Sequence, residues 1–211
     1  MTGLGNTSPS VLNLSAQLLD SVRNSVDARV EAYEGFWRAT HPAVFEPGRF
    51  CHQHGIIRRE AGDMLRFELG AHDVRYAGSM FPVEGQVFAI AFDSVRHLPS
   101  FMILNAVTEP RIALLDGLLI AAGNALRTPS AYCIIFERIG DLSGDREADD
   151  LYAASLMDRP EFVEDPERIP AVVRSHLLRD FGPAAAALGG EMMLTAPLTA
   201  RLAQIISTMA R

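Results

Sequence analysis

The chain divides by the rhythm of its apolar positions. Near the start, Leu12, Leu19, Val26 and Tyr33 recur every seven residues, and Leu14, Leu18, Val22 and Val30 fill the same side. Ser8-Pro9 precedes them as an N-cap followed by proline at the first helical position. This pattern predicts an amphipathic helix of roughly five to six turns. From residue 35 the rhythm changes. Leu65-Arg66-Phe67-Glu68-Leu69 alternates with the period of a strand that buries one face. Val74, Tyr76 and Met80 share a face of the next segment, and strands are predicted at 86–92, 101–107, 111–122 and 131–139. Turn formers separate them: Gly70 to Asp73, Glu84-Gly85, Leu98-Pro99-Ser100, Glu109-Pro110 and Asn124 to Pro129. Connections this short join antiparallel neighbours and leave no room for helical crossovers.

Tyr132-Cys133-Ile134-Ile135-Phe136 and Phe101-Met102-Ile103-Leu104 are apolar on both faces. Such strands need cover on both sides, a barrel interior on one and helices on the other. The expected fold is therefore mainly β with flanking helices (α+β). It is an antiparallel up-and-down meander, closed or half-closed into a barrel so that few edges stay exposed. Expected boundaries are 1–34 for the N-terminal helix, 35–140 for the meander, and 141–211 for an acidic loop with C-terminal helices. Residues 141–168 hold ten of the 26 acidic residues. A helix is predicted from Ile169 to Phe181. Another begins near Thr195, with Leu198, Leu202, Ile205, Ile206 and Met209 as its stripe.

Composition narrows the chemistry. All 19 basic residues of the 211 are arginine. Without lysine there is no Schiff-base chemistry, no P-loop lysine and no Ser–Lys dyad. The net charge of −7 argues against direct nucleic-acid binding. The most apolar stretch, 112–126, contains Asp116 and falls short of the ~20 residues a membrane span needs. With two cysteines and no evident signal peptide, a cytoplasmic location without membrane contact is expected. Cys51 and Cys133 are expected to be buried apolar groups. The residues 141–149 do not reproduce a calcium-loop spacing.

Two resemblances add to this. Gly35-Phe36-Trp37 resembles the Gly-x-Trp that opens the first strand of lipocalin-type (calycin) barrels. In that family the indole packs across the barrel end, and an arginine from the last strand cooperates with it. The resemblance assigns that role to Arg138. Residues 115–120, 127–131 and 136–141 resemble the C-terminal sensory domain of certain bacterial helix-turn-helix regulators, which implies a regulatory module without its own DNA reader. The leading expectation is a non-enzymatic sensing module holding a small apolar or amphipathic ligand inside the barrel. Its expected contacts are Trp37, Leu65, Phe67, Tyr76, Phe88, Ile103, Asp116, Tyr132 and Arg138. His52 and His54 share a strand face and are metal candidates if a third ligand comes from His72, His97 or a carboxylate. Asp116 is either a turn carboxylate beside Gly117 or buried with a partner. His41 and His176 are expected at the surface. The alternatives are an interaction module with a filled barrel, self-associating through residues 8–33, and an enzyme in which His52, His54 and Asp116 converge.

Overall fold

The computed structural model describes residues 30–43, 46–60, 64–72, 74–83, 85–94, 97–106, 111–123 and 128–196. Most of the helix predicted to run from Ser8 to Tyr33, and of the one predicted from Thr195, falls on residues 1–29 and 197–211, outside these residues. Eight antiparallel strands close in sequence order into one barrel, β1 to β8. They are β1 Gly35–Pro42, β2 Phe50–Arg59, β3 Leu65–Ala71, β4 Val74–Val83, β5 Gln86–Asp93, β6 Pro99–Ala106, β7 Leu114–Gly123 and β8 Thr128–Gly140. Three helices follow: α1 Arg146–Met157, α2 Ala171–Leu177 and α3 Pro183–Ala187. The expected acidic loop is in part α1. Asp145 caps that helix, accepting from the Glu147 and Ala148 amides at 3.0 and 3.2 Å. Carboxylates that read as loop composition thus serve as a cap and a favourable first turn. The helix predicted over 169–181 is shorter, stopping at Leu177.

The interior is apolar and closely filled. Trp37, Ile57, Leu65, Phe67, Met80, Leu104, Leu115 and Phe136 pack within it. A 3₁₀ turn, Val30–Tyr33, plugs one end and buries Val30 and Tyr33 in the barrel's own core. Those two members of the heptad stripe are therefore used within the chain. Trp37 Nε1 donates to the Tyr33 carbonyl at 3.0 Å. The Arg138 guanidinium lies 4.9 Å from the centre of the indole. Arg138 also donates to the carbonyls of Ile112 (2.9 Å), Ala32 and Glu34, which fastens the plug to β8. Gly35 permits this approach, because a Cβ there would meet the Gly140 carbonyl at 2.6 Å and the Arg138 side chain.

The outer face is covered unevenly. Helix α1 sets Ala153, Leu156 and Met157 on Phe36 and Ile56. Helix α2, with Ile169 before it, covers Phe50, Leu114, Cys133 and Ile135. This is the two-sided cover predicted for β8. Strands β5 and β6 and the far end of β7 have no such layer among the described residues. Phe88, Phe101, Ile103 and Ile120 are 40 to 49% exposed there. Phe88 pairs with Ile103, and Phe101 with Ile120, so the four form one patch.

That pairing corrects the expected ligand set. Phe88 and Ile103 point out of the barrel, and the inward residues of β5 and β6 are Val87, Ala89, Ala91, Ser100, Met102 and Leu104. Both faces of these strands are apolar, so alternation alone leaves the inward set open. Interior volume decides it: an eight-stranded barrel has just enough room for its side chains. Tryptophan, methionine and two phenylalanines from β1, β3, β4 and β8 leave β5 room for small inward side chains, Val87, Ala89 and Ala91.

Candidate functional site: a cleft outside the barrel

Among the described residues, one space inside the barrel and one outside it differ in size. Inside the barrel, His41, Gln53, Phe67, Tyr76, Ser100 and Tyr132 border a cavity of about 20 Å³. That holds about one water and no organic molecule. Outside, a cleft of about 400 Å³ opens over β1, β2 and β8, beneath residues 159–173. This lies within the range of ligand sites, roughly 300–1,000 Å³.

The floor of the cleft follows from strand register. Arg38 pairs with His54 across the β1–β2 ladder, and Thr40 with His52. On the other side Arg38 pairs with Glu137 of β8. Alternation puts all five side chains outward, and all five line the cleft. Arg38 donates Nε and Nη2 to Glu137 Oε2 at 3.1 and 2.8 Å. Thr40 Oγ1 and His52 Nδ1 are 3.0 Å apart. His54 is 5% exposed, and its Nδ1 has no hydrogen-bond partner in the structure. Buried ring nitrogens are ordinarily paired, so His54 keeps an unmet hydrogen-bonding capacity beside the cleft.

The roof is positioned by a gap in the sheet. Strand β3 pairs with β2 only from His54 onward, which leaves the edge of residues 50–53 open. Residues 161–163 fill it. The His52 amide donates to the Glu161 carbonyl at 2.7 Å, the Val163 amide donates to the Phe50 carbonyl at 2.9 Å, and Cys51 bridges Phe162. An open strand edge recruits extended chain. Here it fixes Phe162, Val163 and the start of α2 over the two histidines.

Burial disfavours charge on these rings. It pushes the His52 imidazole down to about 3, with Arg38, His54 and His41 adding to the effect. It pushes His54 down to about 4, helped by Arg159 and Arg38. The buried His41 is lowered as well, although its Nδ1 lies 2.9 Å from the Pro42 carbonyl. Each ring folds neutral, and the unfolded chain takes up protons near the ordinary value of 6.5. Stability is therefore full above pH 6.5 and declines as pH falls toward 4. With allowance for solvent screening in the cleft, the expected loss by pH 4 is about 2 kcal/mol. Urea midpoints from pH 7.5 to 4 measure it. A His52→Gln/His54→Gln pair should flatten the decline; an unchanged slope would assign it to other groups.

No protein family, curated protein or solved structure matches this chain. The site is therefore read from its own geometry.

The sequence-predicted residues scatter. Leu65, Phe67, Tyr76 and Tyr132 are on the inward face as expected, but they help to fill the interior. Trp37 and Arg138 are committed to closing the barrel end. Asp116 is neither in a turn nor inside the barrel. It lies on the outer face of β7, 1% exposed, with Oδ1 2.6 Å from His176 Nε2 on α2. Burial with a partner is the outcome. His176 is accordingly not a surface group, and neither is His41, at 7% exposure. The enzyme arrangement does not form. Strands β2 and β7 are separated by β1 and β8, roughly 14 Å at ordinary strand spacing, and Asp116 binds His176 rather than His52 or His54. His52 and His54 do share a face, with ring centres 6.1 Å apart. Among the described residues, no group of three or more His, Cys, Asp or Glu side chains is gathered for a metal. Cys51 and Cys133 are buried free thiols, and burial pushes Cys51 up to about 12.

Sequence reasoning missed Arg38, Thr40, Glu137 and the 159–173 roof. A signal was present in part: Arg38 and Thr40 alternate on β1 as His52 and His54 do on β2. Only the register, however, puts them face to face.

Proposed function

We propose that the chain is a non-enzymatic ligand-binding module with a sensory or regulatory role, and that it takes a small amphipathic molecule in the cleft under residues 159–173. The observation that supports this reading is the buried His54 imidazole, whose Nδ1 lacks a partner, in a cleft of about 400 Å³. Polar groups form its floor, and Phe162, Val163, Ile169 and Val173 supply an apolar wall. Orienting polar groups set in an apolar surround suit a small amphipathic ligand. The strand order, with Arg138 stacked over Trp37, favours kinship with lipocalin-type barrels. The filled interior argues for a ligand held outside rather than within. The regulator resemblance favours a signalling role, exerted through a partner rather than by direct contact with DNA.

Native mass spectrometry beside the denatured mass is the direct test, paired with Val173→Trp, which fills the cleft from its α2 side. A mass excess that disappears on denaturation, and is absent in V173W with the fold intact, is the expected result. An excess that survives V173W would place the ligand elsewhere.

A second reading is favoured by a separate observation, the exposed patch of Phe88, Phe101, Ile103 and Ile120 beside a filled barrel. Apolar patches of this kind mark interaction surfaces. Under it the chain pairs with a second copy of itself through β5 to β7. Light scattering of Phe101→Asp/Ile103→Asp decides. The expected outcome is a shift from dimer to monomer, and a wild-type monomer at high concentration removes the reading.

A further inference from the structure

We propose that the cleft receives the carboxylate of a small organic acid at His54 and Arg159, with the acid's apolar body against Phe162, Val163, Ile169 and Val173, and that binding takes up a proton. This deepens the cleft reading and rests on it.

The charges that act on His54 favour an anion. Arg38, Arg159 and Arg168 line the cleft, as do Glu137, Glu164 and Asp165. Two of these carboxylates are already engaged. Glu137 accepts both bonds from Arg38. Asp165 Oδ1 accepts from the Glu167 amide at 3.0 Å, and its Oδ2 lies 3.9 Å from Arg168 Nε. After burial, the influences that hold His54 neutral are Arg159 and Arg38; for His52 they are Arg38 and the neighbouring rings of His54 and His41. A cation placed there would meet the same opposition. An anion relieves it, and accepts a hydrogen bond from a ring nitrogen that otherwise has none. A monoanion suits the site better than a phosphate dianion, because the six formal charges of the lining cancel.

Proton coupling follows from the same groups. On the outer face the rings share the cleft with Arg38 and Thr40 from β1, Glu137 from β8, and Arg159, Glu164, Asp165 and Arg168 from the segment above. None of these is hydrogen-bonded to His54 Nδ1, which has no partner. A bound carboxylate would supply one and raise the affinity of His54 for a proton. By linkage, the acid then binds more tightly as pH falls through the range in which the occupied ring, but not the empty one, is protonated.

The probes are hexanoate and hexanol, which share a chain and differ in the head group. Each is titrated by calorimetry at pH 7.5 and 5.5, where hexanoate stays mostly ionised. The ring-proton NMR signals of His52 and His54 report location. Hexanoate should move the His54 signal, bind at least about tenfold more tightly than hexanol, and gain about threefold or more in affinity at pH 5.5 with net proton uptake. His54→Gln should abolish that pH gain. Equal binding of hexanol and hexanoate at the His54 signal, or affinity that falls toward pH 5.5, would overturn the anion assignment and leave the cleft as a site. If neither probe moves the His52 or His54 signal, the cleft reading falls with it.

Discussion

Trp37→Ala is expected to cost about 4 kcal/mol, a large part of what a domain of this size has in hand. The indole is fully buried, so truncation removes its packing and leaves a cavity at the plugged end of the barrel. It also removes the Nε1–H that the Tyr33 carbonyl accepts at 3.0 Å. Arg138 would lose the ring 4.9 Å from its guanidinium while keeping its backbone carbonyls. The plug Val30–Tyr33 should loosen first, because it is tied to the barrel through these groups. Urea denaturation measures the total, with a lower midpoint at unchanged slope as the expected form. Trp37→Phe keeps most of the volume and loses the hydrogen bond, so about half the cost is expected. A loss below about 1 kcal/mol for Trp37→Ala would mean that the barrel end is not packed as described.

His176→Ala is the second large effect, at about 3 kcal/mol. Asp116 is 1% exposed; its Oδ1 is held by His176 at 2.6 Å, and its Oδ2 has no partner. Removing the imidazole leaves a buried carboxylate uncompensated, and Arg179, packed at 2.8 Å from both ring nitrogens, loses its support. Replacing both partners together, as Asp116→Leu/His176→Leu, should cost much less, because apolar groups of similar size need no partner. That inequality tests the pair itself; equal losses would assign the effect to helix packing alone. A local readout is available. Helix α2 covers Cys133, which is 1% exposed, so in a Cys51→Ala background a thiol reagent should label His176→Ala faster than its parent.

Much of this architecture was legible in the order of residues. Alternation at 65–69 and the short turn-forming joints specified antiparallel neighbours, since a two-residue period and a tight turn are local properties. The apolar faces of Tyr132 to Phe136 called for cover on both sides, and β8 has it. Trp37 and Arg138 were placed together by a three-residue motif and a position on the last strand, and they stack. The candidate site was less legible. Phe88 and Ile103 looked inward because both faces of their strands are apolar. The capacity of a closed eight-stranded barrel turned them out, and no local pattern carries that quantity. Asp116 and His176 are 60 residues apart in the chain, so only the docking of α2 on β7 could pair them. The histidines of β2 were visible as an alternating pair. Their meaning depends on Arg38 and Thr40 lying opposite them, and on residues 161–163 filling an edge that β3 leaves open. Local sequence determined the strands and their turns, because those rest on period and propensity. Volume, register and a borrowed edge decided where the cleft lies, because they arise only when distant segments close on one another.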